Sequence, residues 1–256
     1  MDAFIKQITK EAGLITLKLF GKTGVAYTKS HVNDVVTKAD LLANKHIVNA
    51  IKKTYPTHSI ISEETGQEIV ESEYCWVIDP LDGTLNFATR VPLFGTMVAL
   101  LKNNEVVLSA IYFPCTDELL FAKKGKGTFL NGKRVTCSQK TDVQSSYGLL
   151  SVKAHRIADI TSGLASIDSK RTIHASAIGS AAVDALYLAT GRRDWKYIRK
   201  SALWDIAAPA LILKESGCIV TNTDGKPWKT SDADLFVANK YMHKKLLKVF
   251  LKATKK

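Results

Sequence analysis

The sequence predicts an α/β protein whose first half is of α+β type and whose second half is of α/β type. In the first half, closely spaced strand-like runs predict an antiparallel sheet. These runs are residues 96–101, 105–113 and 118–122, and residues 129–135 have the pattern of a hairpin around Asn-Gly. From about Tyr147 onwards, helix and strand patterns alternate. We therefore expect two subdomains, residues 1–146 and residues 147–256, with a cleft between them.

Two helices are predicted before the first strand. Residues 2–20 carry apolar side chains at helical spacing, whereas residues 23–36 are polar and predict an exposed loop. Thr37 and Asp40 have the spacing of a capping box, so a second helix is expected to begin there and to end before Pro56. Capping alone would explain Asp40, so this carboxylate by itself does not indicate a site.

A short strand is predicted at residues 59–62, and Glu63 and Glu64 follow it directly. Two adjacent glutamates are usually surface charge. Because neighbouring residues of a strand point to opposite faces, we expect at most one of the two to reach a site at the strand end.

The segment of residues 76–87 is the strongest candidate for a functional site. An apolar run leads to Asp79, Asp82 follows three residues later, and Gly83 and Thr84 open a new segment. We expect a buried strand that stops at Asp79 and a helix that starts with exposed N–H groups at Gly83 and Thr84. Paired carboxylates attract a hard divalent cation and a helix start attracts phosphate, which indicates a metal-assisted phosphate site. The same residues are also ordinary turn formers, so this segment alone leaves both interpretations open.

Helices and strands alternate in the second half. The predicted helices are residues 154–164, 179–190, 204–216 and a lysine-rich last helix, and the predicted strands are residues 148–152, 218–221 and 235–238. Pro209 lies inside the third helix pattern, so we expect that helix to begin between Asp205 and Ala207, where the missing N–H does no harm. Asp205 would then be a favourable cap at the helix start.

The composition places limits on location and partners. At 256 residues the chain can bury a full core, and no stretch has the apolar length of a membrane-spanning helix. We expect no signal peptide, because Lys6, Lys10 and Glu11 interrupt the apolar residues at the N-terminus. The cysteines form no C-x-x-C pair, so we expect buried thiols of a reducing, cytoplasmic compartment. They are Cys75, Cys115, Cys137 and Cys218.

The formal net charge of +12 is concentrated near the C-terminus. The lysines there are Lys240, Lys244, Lys245, Lys248, Lys252, Lys255 and Lys256. The pattern favours a solvated, lysine-rich helix face. Attraction to anions, from phosphorylated metabolites to nucleic acid, is the alternative, and no known nucleic-acid-binding motif supports the latter.

Taken together, these segments resemble the inositol monophosphatase family of magnesium-dependent, lithium-sensitive phosphomonoesterases. The resemblance rests on Glu63-Glu64 after a strand, on residues 76–87 (WVIDPLDGTLNF) and on residues 204–208 (WDIAA). Further matches are residues 34–40 (DVVTKAD), 125–132 (GKGTFLNG) and 179–182 (GSAA). The motifs keep the family's order and extend over nearly the whole chain.

The resemblance implies a layered αβαβα sandwich with an active site in the cleft, loaded with two or three Mg²⁺ ions. The implied metal ligands are Glu63, Asp79, the carbonyl group of Leu81, Asp82 and Asp205. It also implies that Glu63 and Thr84 activate the attacking water, and that Asp40 supports Thr84 from behind. The implied substrate contacts are Asp82 and Ala181, with the N–H groups of Gly83 and Thr84 on the phosphate and Lys29 on a metal-binding loop.

Substrate choice stays open within the superfamily. Members that cleave inositol phosphates carry a glutamate seven residues before the aspartate of the Trp-Asp motif, where this chain has Ile198. An isoleucine cannot accept a hydrogen bond from a sugar hydroxyl. Arg199 and Lys200 follow, either as surface charge or as a cationic rim for a second phosphate or a carboxylate. Residues 85–87 resemble the inositol branch more than the nucleotide branch.

We therefore predict a phosphoric monoester hydrolase that acts on a small phosphorylated metabolite, an inositol monophosphate or a sugar (bis)phosphate, by direct attack of metal-activated water. A 3′(2′),5′-bisphosphate nucleotidase or NADP phosphatase is the alternative within the superfamily. An RNA- or transcription-complex-binding factor is the alternative from another class. The resemblance also implies a homodimer, and we expect no membrane association.

Overall fold

The computed structural model describes residues 1–22, 25–28, 35–151, 163–165, 167 and 173–253. The helices are α1 (Asp2–Leu19), α2 (Lys38–Thr54), α3 (Thr84–Ala88), α4 (Ala181–Ala189), α5 (Leu203–Glu215) and α6 (His243–Ala253). The first strands are β1 (Val25–Thr28), β2 (Val35–Thr37), β3 (Ser59–Ser62), β4 (Gly66–Glu68), β5 (Tyr74–Asp82), β6 (Gly95–Lys102), β7 (Glu105–Phe113), β8 (Glu118–Lys123), β9 (Gly127–Leu130) and β10 (Lys133–Val135). The later strands are β11 (Tyr147–Ser151), β12 (His174–Ser176), β13 (Trp195–Ile198), β14 (Ile219–Thr221) and β15 (Leu235–Ala238).

The described strands form two large sheets and one small pair. Strands β3 to β10 make an eight-stranded sheet in the order β10-β9-β8-β7-β6-β5-β3-β4. It is antiparallel, as predicted, except that β3 and β5 run parallel. Strands β11 to β15 make a five-stranded sheet in the order β12-β11-β13-β15-β14, in which β11 runs parallel to β12 and β13. Asn131 and Gly132, with φ of 47° and 79°, form the predicted tight turn between β9 and β10.

The elements stack in five layers, because each strand sends alternate side chains to opposite faces. In β5, Trp76 and Ile78 face the apolar sides of α1 and α2, whereas Val77 faces α4 and α5. In β15, Val237 faces α4 and α5 from the other side, whereas Phe236 packs against α6. The layers are therefore α1 and α2, the eight-stranded sheet, α4 and α5, the five-stranded sheet, and α6. The predicted αβαβα sandwich is confirmed, whereas the division at residue 146 stays a prediction.

The described residues 25–28 and 35–36 are strand residues and not part of the plain exposed loop that the polarity of this region predicts. Strands β1 and β2 from this region pair antiparallel, because extended backbone with alternating residues can satisfy its hydrogen bonds by pairing locally. Lys29 and Asp34 lie outside the described residues. The same holds for residues 154–162 of the predicted helix 154–164.

Helix α5 begins earlier than Pro209 suggested. The helix starts at Leu203, so Pro209 lies in its second turn and not in its first. Asp205 nevertheless occupies the first turn and accepts a hydrogen bond from the N–H of Ala202 at 3.1 Å, as a capping carboxylate does. The surrounding side chains are almost completely buried, so tertiary packing offsets the local cost of the proline.

The cysteines are all free thiols. Cys137 and Cys218 are buried, but Cys75 is only half-buried and Cys115 is exposed, so the prediction of four buried thiols is wrong for Cys115. In the part of the chain that the structure describes, no helix is both long and apolar enough to cross a membrane.

Candidate active site

The carboxyl end of β5 carries the central predicted residues. The strand does not stop at Asp79, as we expected, but pairs with β6 as far as Asp82. Asp79 pairs with Met97 and Asp82 with Gly95, so three steps along β5 match two along β6, which is a β-bulge. Within this bulge, the N–H of Leu81 donates to Oδ1 of Asp79 at 3.1 Å. The bulge thus concentrates two buried carboxylates and the Leu81 carbonyl at one strand end.

Gly83 connects this strand end to α3. Its φ of 85° is left-handed, and a Cβ atom at this position would lie 2.9 Å from the carbonyl oxygen of Leu93 and 3.1 Å from Cβ of Ser180. Conformation and space therefore both require glycine here. Helix α3 has only five residues, so its dipole is small. An anion at its start would therefore be bound mainly by the free N–H groups of the first turn.

Thr84 is the first residue of α3, and its hydroxyl lies between two acceptors. Its Oγ1 is 2.8 Å from the carbonyl oxygen of Leu81 and 3.1 Å from Oδ1 of Asp40. The other oxygen of Asp40 accepts hydrogen bonds from the N–H of Thr37 at 2.8 Å and from its hydroxyl at 2.5 Å. The predicted capping box of α2 is therefore confirmed, and the same carboxylate also holds Thr84.

Asp82 is bound to the start of α4, 98 residues later in the chain. Its Oδ2 accepts hydrogen bonds from the Ser180 hydroxyl and from the N–H of Ala182 at 2.8 Å, and its Oδ1 accepts one from the N–H of Ala181 at 3.0 Å. Ser180 is the N-cap of α4 and also accepts from Val183. The structure therefore brings Ala181 to the site through its backbone.

Three further acids reach this region from other elements. Glu63 follows β3, and its N–H donates to the carbonyl oxygen of Ile78 in β5 at 3.2 Å. Asp205 comes from the first turn of α5. The charge of Glu64 acts on Asp40, and the expectation that at most one of the two glutamates joins the site stays a prediction.

The acids raise each other's pKa values. The pKa of Asp79 is well above its usual range because the residue is fully buried and is repelled by Glu63, Asp82, Asp205 and Asp40. Burial also raises the pKa of Asp40 to about 6. The pKa of Asp82 is likewise raised to about 6, mainly by burial, against the hydrogen bonds from Ser180 and α4. Such mutual repulsion is typical of a site that is completed by a cation.

The donor set fits Mg²⁺ in its chemistry. Carboxylate and carbonyl oxygens are the ligands that this ion prefers. Within the described ranges, no three His, Cys, Asp or Glu side chains already stand together as a group that could hold an ion. Electrostatic repulsion acts over longer distances than coordination, and the Asp82 oxygens are bound to α4. The acids are therefore neighbours whose charges act on Asp79, without standing together as a ready-made group of ligands.

Arg199 and Lys200 lie at the end of β13 and are tied to one acid. The Nε atom of Arg199 donates to Oδ2 of Asp234 at 3.3 Å, and the N–H of Lys200 donates to Oδ1 at 2.8 Å. The Lys200 side chain is exposed. The Arg199 charge is therefore already paired, which weakens the interpretation of these residues as a cationic rim.

Sequence reasoning missed several residues that shape this region. The Ser180 hydroxyl and the N–H of Ala182 donate hydrogen bonds to Asp82. The amide of Asn86 donates to the carbonyl oxygens of Leu93 and Ile178 at 2.8 and 3.0 Å, joining α3 to the segment before α4. The signal for Ser180 was present, since a serine directly before an apolar helix pattern is a typical N-cap. Its partner Asp82 could not be read from local sequence.

Buried acids around one strand end, beside the N–H groups of a helix start, are what a metal-dependent phosphatase requires, and the chain is an enzyme of this class: a phosphoric monoester hydrolase. A model of the family described as "Inositol monophosphatase family" matches residues 1–255. The chain belongs to this family.

Individual relatives agree with this assignment. A "Fructose-1,6-bisphosphatase/inositol-1-monophosphatase" of Thermotoga maritima is 32% identical over 249 residues, which cover 97% of this chain and 94% of the relative. The "Nus factor SuhB" of Haemophilus influenzae is 32% identical over 235 residues, covering 88% and 85%. A solved structure of a Thermotoga maritima IMPase superposes with a TM-score of 0.89 at 30% identity, covering 99% of this chain and 97% of that one.

Proposed function

We propose that this chain hydrolyses the phosphate monoester of a small polyol or sugar in a Mg²⁺-dependent reaction. The proposed ligands of two or three Mg²⁺ ions are Glu63, Asp79, the Leu81 carbonyl, Asp82 and Asp205. The observation that carries the proposal is the repulsion of fully buried Asp79 by four neighbouring carboxylates. A protein retains such an unfavourable arrangement where a bound cation offsets it.

When bound, Mg²⁺ neutralises phosphate charge, makes water a better nucleophile and stabilises the leaving alkoxide. The protein's own residues would bind the substrate phosphate and orient the attacking water. The N–H groups of Gly83 and Thr84 would donate hydrogen bonds to a phosphate and hold it beside the acids. Gly83 leaves room at this turn because it has no side chain. The Thr84 hydroxyl can accept a hydrogen bond from a water molecule while it donates its own hydrogen to the Leu81 carbonyl or to Asp40. We propose Glu63 as its partner in orienting the water.

We further propose that the substrate is a monophosphate and not a bisphosphate. The pairing of Arg199 with Asp234 leaves less positive charge for a second phosphate. Ile198 is buried in β13, so no acid from this position reaches a sugar hydroxyl. This favours a substrate that is held mainly by its phosphate, with contacts from Ala181 at the edge of the pocket.

Phosphate release from a substrate panel tests the proposal. The panel contains inositol 1-phosphate, fructose 1,6-bisphosphate, 3′-phosphoadenosine 5′-phosphate, NADP and histidinol phosphate. We expect Mg²⁺-dependent turnover of inositol 1-phosphate or another sugar monophosphate, with loss of activity in Asp82→Asn and retention in Asp224→Asn, an exposed turn residue. Preference for a bisphosphate would contradict the substrate proposal alone. No Mg²⁺-dependent release from any compound would contradict the phosphatase proposal.

A second candidate function is participation in a transcription complex. The specific observation in its favour is the similarity to "Nus factor SuhB" over most of the chain. Helix α6 offers exposed lysines for contact with RNA, among them Lys244, Lys245 and Lys248. RNA binding that survives Asp82→Asn, falls in Lys248→Glu and depends on RNA sequence at physiological salt would support this function. Binding that disappears at modest salt for every sequence would leave only non-specific attraction.

We also propose that the protein is a cytoplasmic homodimer and that lithium inhibits it, as the family resemblance implies. The free thiols agree with a reducing compartment. Light scattering after size-exclusion chromatography measures the mass of the particle directly, and a monomer at micromolar concentration would contradict the dimer. Inhibition curves with LiCl, with NaCl as control, test the lithium proposal.

A further inference from the structure

A second cleft, of about 730 Å³, lies beside the C-terminal half of α5. Its other walls are the turn between β6 and β7, the start of β14, and residues 227–231. None of the residues proposed for the phosphatase site lines it. The volume is within the range of pockets that hold small organic molecules.

The walls of this cleft are connected by hydrogen bonds. The Thr230 hydroxyl donates to the carbonyl oxygen of Asn104 at 2.9 Å, which ties the segment of residues 227–231 to the turn between β6 and β7. Thr221 and Pro227 form a β-bridge, which holds the other end of this segment against β14. The cleft is therefore formed without a ligand, and little ordering would be needed on binding.

The floor of the cleft is apolar. It is formed by Val106, Ala210, Leu211, Val220 and Trp228. The indole N–H of Trp228 is buried and, among the described residues, has no hydrogen-bond acceptor. An apolar floor with an aromatic ring suits the hydrocarbon part of a ligand.

The rim of the cleft is positively charged. Lys124, Lys214 and Lys229 line it, and Glu105 is its acidic residue. Glu105 is already paired with Lys124, since its Oε2 lies 2.5 Å from Nζ. Lys214 and Lys229 are exposed, and neither forms an ion pair with any residue that the structure describes. Two lysine charges therefore remain available beside the apolar floor.

We propose that this cleft binds a small organic anion that joins a flat apolar body to one carboxylate, sulfonate or phosphate group. The apolar body lies on the floor against Trp228 and Leu211. The anionic group lies at the rim, where it meets the charges of Lys214 and Lys229. Inorganic phosphate lacks the apolar body and sugar phosphates carry hydroxyls in its place, so the ligand is of a different class from the proposed substrates.

A pair of matched probes tests the proposal. 1-Anilinonaphthalene-8-sulfonate has the required apolar body and anionic group, and N-phenyl-1-naphthylamine is the same body without the sulfonate. We expect saturable binding of one molecule of the sulfonate per chain, seen by fluorescence, in the presence of saturating Mg²⁺ and inorganic phosphate. We expect the neutral probe to bind about tenfold more weakly, because it lacks one charge-assisted contact.

Variants identify the place of binding. Lys214→Glu should weaken the sulfonate about tenfold without changing binding of the neutral probe. Ile219→Trp places a large side chain at an exposed lining position and should weaken both probes. Lys18→Glu, at an exposed position of α1, is the charge-matched control and should change neither.

Two results would overturn the proposal. If both probes bind with equal affinity and Lys214→Glu changes neither affinity, the cleft is only a non-specific apolar surface. Displacement of the sulfonate by Mg²⁺ and phosphate would place it in the phosphatase site instead. Because no readout here is enzymatic activity, failure of this proposal is distinguishable from failure of the proposed function.

Discussion

The hydroxyl oxygen of Thr84 lies 3.1 Å from Oδ1 of Asp40. Asp40 is almost completely buried, and its other oxygen is held by the N–H and hydroxyl of Thr37. The carboxylate therefore has a fixed position, and it fixes the threonine in turn. Helix α2 thus contributes to the geometry at the end of β5, although Asp40 and Thr84 are 44 residues apart.

The Thr84 hydroxyl is expected to take part in proton transfer. Thr84→Val keeps the shape of the side chain but removes the hydroxyl, so kcat should fall by about 10²- to 10⁴-fold, the usual effect of losing a proton-transfer group. Thr84→Ser keeps the hydroxyl and should stay within about tenfold of the parent protein. Initial rates of phosphate release measure both. Equal losses in the two variants would mean that the methyl group, and not the hydroxyl, matters.

Asp79 is expected to be essential for activity but not for stability. In Asp79→Asn, activity should fall by about 10³-fold or more, because metal ions supply several kcal/mol of transition-state stabilisation. The urea midpoint of this variant without Mg²⁺ should equal or exceed that of the parent, because a repelled, buried carboxylate has been removed. Mg²⁺ should raise the Tm of the parent but not of the variant. A variant that unfolds more readily than the parent without Mg²⁺ would contradict this account.

Gly83 should tolerate no side chain. A left-handed φ costs a non-glycine residue about 1–2 kcal/mol, and the contact of a Cβ atom with the Leu93 carbonyl adds about 1–3 kcal/mol to the loss in Gly83→Ala. Gly132→Ala is the matched control, since Gly132 has a φ of 79° but no atom within 4 Å of the place that an added Cβ would take. Urea unfolding should show the larger loss for Gly83→Ala, and only this variant should lose activity. Equal losses would mean that space at Gly83 is not limiting.

His243 is expected to make stability depend on pH. Burial lowers its pKa to about 4, and its Nε2 lies 3.0 Å from the Thr221 hydroxyl oxygen. The unfolded chain has a histidine pKa of about 6.5 and so binds the proton first as pH falls. The stability that the neutral histidine provides is therefore present above pH 6.5 and is lost as pH falls toward 4.

His243→Gln separates this effect from the other titrating groups. Between pH 7.5 and 4.5, the free energy of unfolding of the parent should fall by about 2–3 kcal/mol more than that of the variant. Urea titrations of both proteins at the two pH values measure the difference. Parallel pH profiles would show that His243 is not responsible.

Much of the secondary structure follows from local patterns. The helix at residues 38–54 begins at Thr37 because Thr37 and Asp40 form a capping box, and the Asn131-Gly132 turn joins β9 to β10. Both features depend on residues a few positions apart, which is why sequence reasoning can find them. Pro209 shows the limit of such rules, since burial of α5 overrides a local preference.

The sequence by itself determined most of the helices, the α/β class of the fold and the segments that carry the acids, because helical and strand periodicities record which side chains are buried. It did not predict the short strands β1, β2, β4, β12 and β13. Only the tertiary structure decided which acids act on Asp79, that Ser180 holds Asp82, and that Asp234 pairs with Arg199. These contacts join elements that are distant in the chain. Their energies depend on burial and on separation in space, and local patterns contain neither.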